Sequence, residues 1–390
     1  MVDSPRVEMA FVGLKLWRKE NNLQLIWIIE KKHVLLQAFT KKIKMKHIYT
    51  LLLLFIAFSA SVSAQVQTAE SSSADSLINV IAYFCKNDTM GYNFQHVKMK
   101  VVDNDTTVNY YSESEFRLIV RDSTSQGYKI ELQPISHHFE TPEDTVMTQM
   151  MEKLINSLGD VPLIFTTDEL GTIQHVENWR EVRDFTRKAS KALMDSLYAL
   201  KPEMEQAIAR QRLEAALNMQ FASEKAILES YEELTIMFGV HGKAFKIGKT
   251  EADVTSDQGY PQHVAYVASY GKTSEDDGFD DDFFINSVSE ITIPAKDVGN
   301  LMIDQLNMMS EHKMTEEEQK VMTSAIDEDA KVSIVEGYDM FFNGWPCDME
   351  YDKITDLKNV RNMEIYRIQW TSRVWGIYGG SDEQQDGVSM

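Results

Sequence analysis

A few short runs carry the residue types from which a chemical site could be built. His137-His138-Phe139-Glu140 sets imidazole and carboxylate at alternate positions. On a strand end His138 and Glu140 would point the same way, a candidate half-site for zinc. Only two ligands are local, and a polar strand–helix junction has the same composition. Glu275-Asp276-Asp277-Gly278-Phe279-Asp280-Asp281-Asp282 gathers carboxylates about a glycine bend. Asp276, Asp277, Asp280 and Asp282 are the candidate hard-oxygen ligands for calcium there. The spacing departs from the EF-hand loop, in which Asp or Asn alternate before the glycine and a Glu closes the ring. A solvated acidic loop is the alternative.

The remaining candidates serve packing as readily as function. Cys85 and Cys347 are the two cysteines of the chain and form a candidate disulfide; two separate buried thiols are the alternative. The 21 methionines could line a soft apolar cavity or fill an ordinary core. Trp345, Trp370 and Trp375 could form a sugar-stacking platform, although Trp370 sits in an apolar alternation that suits a core. No phosphate loop, dinucleotide-binding glycine pattern, G-x-S-x-G elbow, H-E-x-x-H or C-x-x-C occurs in the sequence. No catalytic residue is named, and no cofactor is expected beyond calcium at the acidic run.

The elements that would position these residues follow from periodicity. Period-two segments between about residues 79 and 136 predict an antiparallel meander. In it Val97, Met99 and Val101 oppose His96, Lys98 and Lys100, while Phe116, Leu118 and Val120 make a second apolar face and Tyr128, Ile130 and Leu132 a third. Thr141-Pro142 opens a helix that Gly159 closes. Asp168-Glu169-Leu170-Gly171 reads as a hairpin loop with glycine in the left-handed position. Asn178 to Glu181 has the form of a capping box, followed by a stripe of Trp179, Val182, Phe185, Ala189, Leu193, Leu197 and Leu200. Pro202 starts another helix, running through Phe221 and on toward Met237. Strands return over 263–270 and 283–293. Pro294 opens a helix with Val298, Leu301, Met302, Gln305 and Met309 on one side, and Thr315 caps a shorter one. Strands over 332–342 and 345–351 flank Asn343-Gly344, a type I′ dipeptide, and Tyr366, Ile368 and Trp370 form a last apolar face. This order predicts an α+β fold: mainly antiparallel meander sheets packed on amphipathic helices, with a half-barrel as one form.

Targeting signals divide the chain further. A basic start at Met45-Lys46, the apolar run Leu51 to Phe58, and small residues at Val62 and Ala64 read as a secretory signal peptide over 45–64, cleaved between Ala64 and Gln65. Residues 1–44 then read as a start-site artefact, 65–76 as a flexible leader, 77–375 as the mature domain with a possible sub-division near 240, and 376–390 as a disordered tail. Neither N-terminal apolar run reaches the roughly 20 residues of a spanning helix, so the mature chain is expected to lack a transmembrane segment. The formal net charge is −21, and residues 1–64 are net basic, so the remainder is more acidic still. Such a surface repels nucleic acid and favours a soluble monomer.

The junction Val62-Ser63-Ala64-Gln65, the meander ending near Leu132, the run Phe165 to Gly171, and Asn343-Gly344-Trp345-Pro346 together resemble an uncharacterised α+β family of exported Gram-negative bacterial proteins, a domain of unknown function. The resemblance implies periplasmic or secreted localisation and fold class, and carries no catalytic residues. The expected function is non-enzymatic binding of an apolar or lipid-like ligand. A cell-envelope module that contacts protein or glycan is the alternative.

Overall fold

The computed structural model describes residues 77–376, apart from 104, 141–160, 257, 272–282, 310–312 and most of 201–220. The signal peptide, the segment before it, the leader, the helix opened by Thr141, most of the helix opened by Pro202, the acidic run with Asp276, Asp277, Asp280 and Asp282, and the tail beyond 376 therefore lie outside the described residues.

The strands are β1 (Leu77–Asn79), β2 (Thr89–Val102), β3 (Asp105–Thr124), β4 (Gly127–Glu140), β5 (Leu163–Thr167), β6 (Ile173–Val176), β7 (Ala244–Lys246), β8 (Gly248–Thr255), β9 (Pro261–Tyr270), β10 (Phe283–Ile293), β11 (Ala330–Met340), β12 (Pro346–Leu357) and β13 (Val360–Val374). The helices are α1 (Trp179–Leu200), α2 (Glu224–Ser230), α3 (Glu232–Met237), α4 (Ala295–Met309) and α5 (Glu316–Ala325). Eleven strands form one antiparallel sheet in the order β6-β5-β4-β3-β2-β13-β12-β11-β10-β9-β8, and β1 pairs with β7 apart from it. The sheet does not close, since β6 and β8 are its edges. Among the described residues, no helix is long and apolar enough to cross a membrane.

This architecture is β-rich and corrects the α+β expectation. The strands are longer than the sequence pattern suggests, β3 alone running 20 residues. The two meanders are also one sheet, because β2 pairs with β13 from Thr89↔Val374 to Val102↔Val360. That ladder joins residues more than 250 positions apart, and no local signal marks such a pairing. Among the described residues the buried helix positions depart from the expected stripes. Along α1 the buried side chains are Val182, Thr186, Ser190, Met194 and Tyr198, one position away from the expected Phe185–Ala189–Leu193 line. Asn178 does not cap α1 with its side chain. Its amide clasps β5 instead, accepting from Ile164 N (2.9 Å) and donating to Pro162 O (2.8 Å). The Thr315–Glu318 capping box does form at the start of α5. Among the described side chains of α4, Gly299 and Ile303 are buried and Leu301 is exposed, with Gly299 lying directly against Thr323 of α5.

One contact shows that the sheet curls. Five inter-strand gaps separate β5 from β12, about 24 Å along a flat sheet at ~4.8 Å per gap. Yet the loop after β5 and the turn before β12 meet on consecutive residues: Ala82 N donates to Leu170 O (3.0 Å) and Tyr83 N to Asn343 O (2.9 Å). The segment 80–84 therefore plugs one end of a trough, with Val80, Ala82 and Phe84 inside. Phe84 stacks on Trp345 with centroids 3.9 Å apart, and Tyr128 Oη donates to Ala82 O (2.7 Å). His241 ties the same two loops, accepting at its carbonyl from Thr172 Oγ1 (3.3 Å) and donating from Nε2 to Gly344 O (2.9 Å). Burial holds the His241 pKa down, to about 4.

Two glycines make this approach possible. A Cβ at Gly171 (φ +96°) would lie 2.6 Å from His241, and one at Gly344 (φ +81°) would lie 2.5 Å from Ile81 O. The Asn343-Gly344 turn is not type I′. Gly344 has positive φ and Asn343 does not, and Gly344 N donates to Phe341 O across a longer connection.

Candidate functional site

The inner face of the trough changes character along its length. Cross-strand register puts Phe94, Ile368, Met349, Tyr338, Ile285 and Ala268 in one row near the plugged end. The next row, one side-chain step away, reads Ser112, His96, Tyr366, Tyr351, Glu336, Ser287 and Tyr266. Beyond it come Tyr110, Lys98, Glu364, Lys353, Ile334, Ser289 and Val264. A polar and ionisable band thus borders the apolar row on the inside of the sheet, and beyond it apolar residues return only on β9 to β11, with Val264, Ile291 and Ile334. The start of α3 lies over it, bringing Glu232.

His96 is buried, 6% exposed. Its ring stacks on Tyr366 at 4.1 Å and meets Tyr110 at 5.3 Å. Nδ1 lies 3.4 Å from Glu232 Oε2, while the buried Nε2 has no hydrogen-bond partner among the described residues. Burial first, and Lys98 second, push the imidazole well below its usual pKa. Burial raises Glu232, and Glu364 adds to the rise while Lys98 opposes it. The pair is therefore held toward its uncharged forms. Lys98 Nζ lies 3.6 Å from Glu364, and Tyr366 Oη donates to Glu364 Oε2 (3.3 Å). Glu336 accepts from Ser287 Oγ (2.7 Å) and Tyr338 Oη (3.4 Å). Burial raises the phenols of Tyr366 and Tyr351, with Glu232 and Glu364 contributing. Such a surface can bind a polar group beside apolar ones.

The sequence pattern misses this site because it inverts the faces of β2. Val97, Met99 and Val101 face outward, and His96 and Lys98 face inward. The signal lay upstream, since the period of two that buries Met90, Tyr92 and Phe94 continues through His96 and Lys98.

The residues singled out in the sequence are scattered. His138 and Glu140 contact each other (3.2 Å) at the exposed end of β4. Among the described residues no group of three or more His, Cys, Asp and Glu side chains is placed to hold a metal ion. Cys85 is half-buried and Cys347 buried, both at the plugged end. Cys85 N donates to Asp88 Oδ2 (2.8 Å), and Trp345 Nε1 donates to the same oxygen (3.3 Å). Trp345 is a core residue, Trp370 is half-buried and Trp375 is exposed, so the three do not share a surface platform. Met90, Met237, Met340 and Met349 are core residues.

No family model and no curated protein matches the chain. Among solved structures, lipovitellin, described for its lipid–protein interactions, aligns with 77% of this chain at 9% identity and a TM-score of 0.39. The chain spans about a quarter of that protein's length, 27%. DynF, from the dynemicin biosynthesis pathway of Micromonospora chersina, aligns over 80% of this chain and 95% of its own at 4% identity and a TM-score of 0.18. A porin-like protein from Bacteroides uniformis aligns over 71% and 95% at 9% identity and a TM-score of 0.13. At such TM-scores none of the three establishes a shared fold or function.

Proposed function

We propose that the protein is an exported, non-enzymatic binding protein for an apolar or lipid-like ligand, taken up on the inner face of the curved sheet. The observation that carries this reading is the polar band from His96 to Tyr266 set beside the apolar row of Phe94, Ile368 and Met349. An amphiphile has the same juxtaposition, and a sheet side buried only against itself would not place ionisable groups there. The ends of the trough differ in the same sense. Met90, Tyr92 and Met349 are almost fully buried near the plug, whereas residues 350–357 of β12 are half-buried throughout. Export follows from the leader, with cleavage between Ala64 and Gln65 delivering an acidic, monomeric body to the periplasm or medium.

Native mass spectrometry and solvent extraction of the purified protein test the binding reading. Copurified or titratable amphiphile is the expected result, and a protein that stays at its sequence mass with every long-chain probe refutes it. Terminal sequencing of native material tests export, with Gln65 expected as the first residue.

A second reading has its own observation. Tyr83, Phe342, Val374 and Trp375 are all exposed around the plug, and Arg373 stacks on Trp375 at 5.1 Å. This patch would suit a cell-envelope protein or glycan. Glycan arrays and pull-downs with Phe342→Ser and Trp375→Ser variants separate it from the first.

A further inference from the structure

Resting on the carrier reading, we propose that His96 Nε2 anchors the ligand's polar end, and that this end is an uncharged hydroxyl, as in a long-chain alcohol or a monoacylglycerol. The band already holds its own ions. Lys98 pairs with Glu364, and Lys353 stands opposite Glu364 in register. Glu336 is occupied by Ser287 and Tyr338, and Glu232 by His96. Lys98 and Lys353 are thus already matched by Glu364, and Lys243 by Glu336, so an incoming carboxylate would compete with the band's own acids. An ammonium would have to enter beside Lys98 and Lys353. Either ion would also leave water for a half-buried site, at a cost that a hydroxyl largely avoids.

What the band leaves unmet is one buried imidazole nitrogen. Which nitrogen carries the proton depends on Glu232. If the carboxylate is ionised, Nδ1–H donates to it and Nε2 needs a donor. If Glu232 is protonated, it donates to Nδ1 and Nε2–H needs an acceptor. A hydroxyl supplies both roles and fits either state, whereas a carboxylate fits only the second. The chain of the ligand then has apolar neighbours in Phe94, Ile368 and Met349 toward the plug, or in Val264, Ile291 and Ile334 laterally on β9 to β11, all of them buried.

The test uses the purified full chain and four probes of one chain length: monooleoylglycerol, oleyl alcohol, oleate and oleylamine. Affinities are read by displacement of an apolar fluorophore. The two neutral probes are expected to bind about fivefold to tenfold more tightly than the ionic ones, the worth of one buried hydrogen bond. His96→Phe keeps the ring stacked on Tyr366 and should abolish that ranking while chain binding persists; His96→Gln, which keeps a hydrogen-bonding end, should retain part of it. Should either variant fail to fold, the 15N resonances of the wild-type His96 ring decide. They should move on adding monooleoylglycerol and stay in place with hexadecane. Binding led by oleate, an unchanged ranking in His96→Phe, or a ring indifferent to the headgroup overturns the hydroxyl assignment and leaves the carrier reading standing. Failure of all four probes to bind overturns both.

Discussion

Gly344 offers a sharp test of the plug, because the chain contains its own control. Gly344 and Gly248 both have positive φ, +81° and +94°. Replacing either with alanine forces a side chain into the left-handed region, at about 1–2 kcal/mol. There the likeness ends. A Cβ on Gly248 meets nothing within 4 Å, whereas one on Gly344 lies 2.5 Å from Ile81 O and 3.1 Å from Ala82 Cα. Both are backbone atoms of a segment held on two sides, so neither can swing away. To admit the methyl, the turn must retreat from the plug. Retreat breaks the Tyr83 N to Asn343 O bond and the His241 Nε2 to Gly344 O bond, each about 1 kcal/mol net. Gly344→Ala should therefore lose about 3–4 kcal/mol and Gly248→Ala about 1–2 kcal/mol. Equilibrium urea unfolding followed by tryptophan emission measures both, with an unchanged m-value as the check that the denatured state is the same. Equal losses in the two variants would refute the reasoning, since backbone strain would then be the whole effect and the plug would contribute nothing.

Three further outcomes follow from named contacts. Asp88 is 1% exposed and accepts from Cys85 N, Trp345 Nε1 and Gly376 N (2.6 Å); Asp88→Asn replaces an acceptor oxygen with a donor, so a loss of about 2–4 kcal/mol and altered Trp345 emission are expected. The pH dependence should separate His241 from Glu233. His241 stands at about 4 when folded against 6.5, so its contribution is complete above pH 6.5 and is lost as pH falls toward 4. Glu233 is pushed by burial up to about 7 from 4.5, so its contribution is present below pH 4.5 and is lost as pH rises through 7. Between those limits the two oppose each other. Relative to wild type, Glu233→Gln should gain stability with rising pH, by up to about 1.4 kcal/mol per unit, and His241→Gln should shift in the opposite sense; parallel urea-unfolding curves for all three proteins across pH 4.5–7 would contradict this. Thr315→Ala removes the capping box of α5 and should cost about 1 kcal/mol, seen as faster amide exchange confined to residues 316–320.

Some local chemistry was legible in the sequence, although not the Asn343-Gly344 turn type or the role of Asn178, and long-range pairing was not. Asp168 to Gly171 forms the expected hairpin loop, with Asp168 Oδ1 accepting from Leu170 N (3.0 Å) and Thr172 N (2.8 Å) and Gly171 in the left-handed region. Pro294 opens α4 as expected, its carbonyl accepting from Asp297 N and Val298 N. These features are written within five residues of one another. The fold class depends on a different kind of fact. Whether the two meanders stay apart or merge is decided by β2 meeting β13, and each strand has a face that would suit several partners. Loop-closure entropy gives such a pairing no local mark. The candidate site failed for a related reason. Lys98 and Lys100 look like a solvent face when β2 is read alone, and only Glu364 on β13 and Glu232 on α3 make an inward Lys98 acceptable.

The inward lysine and histidine bear on function because burying them is costly. Replacing an interior ion pair by apolar residues is often neutral or stabilising, so stability alone gives little reason for Lys98, Glu364, Glu232 and His96 to face inward. Apolar residues were within reach at the same strands, as Val97 and Ile365 on the opposite face show. The curled sheet also needs no polar band to close, since the plug of Phe84, Trp345 and Phe238 already seals the end where the strands converge. Architecture and polar band therefore have separate causes. The first is explained by apolar burial around residues 80–84. We attribute the second to the proposed ligand, whose polar end would meet the unpartnered imidazole nitrogen of His96 on the inside of the sheet.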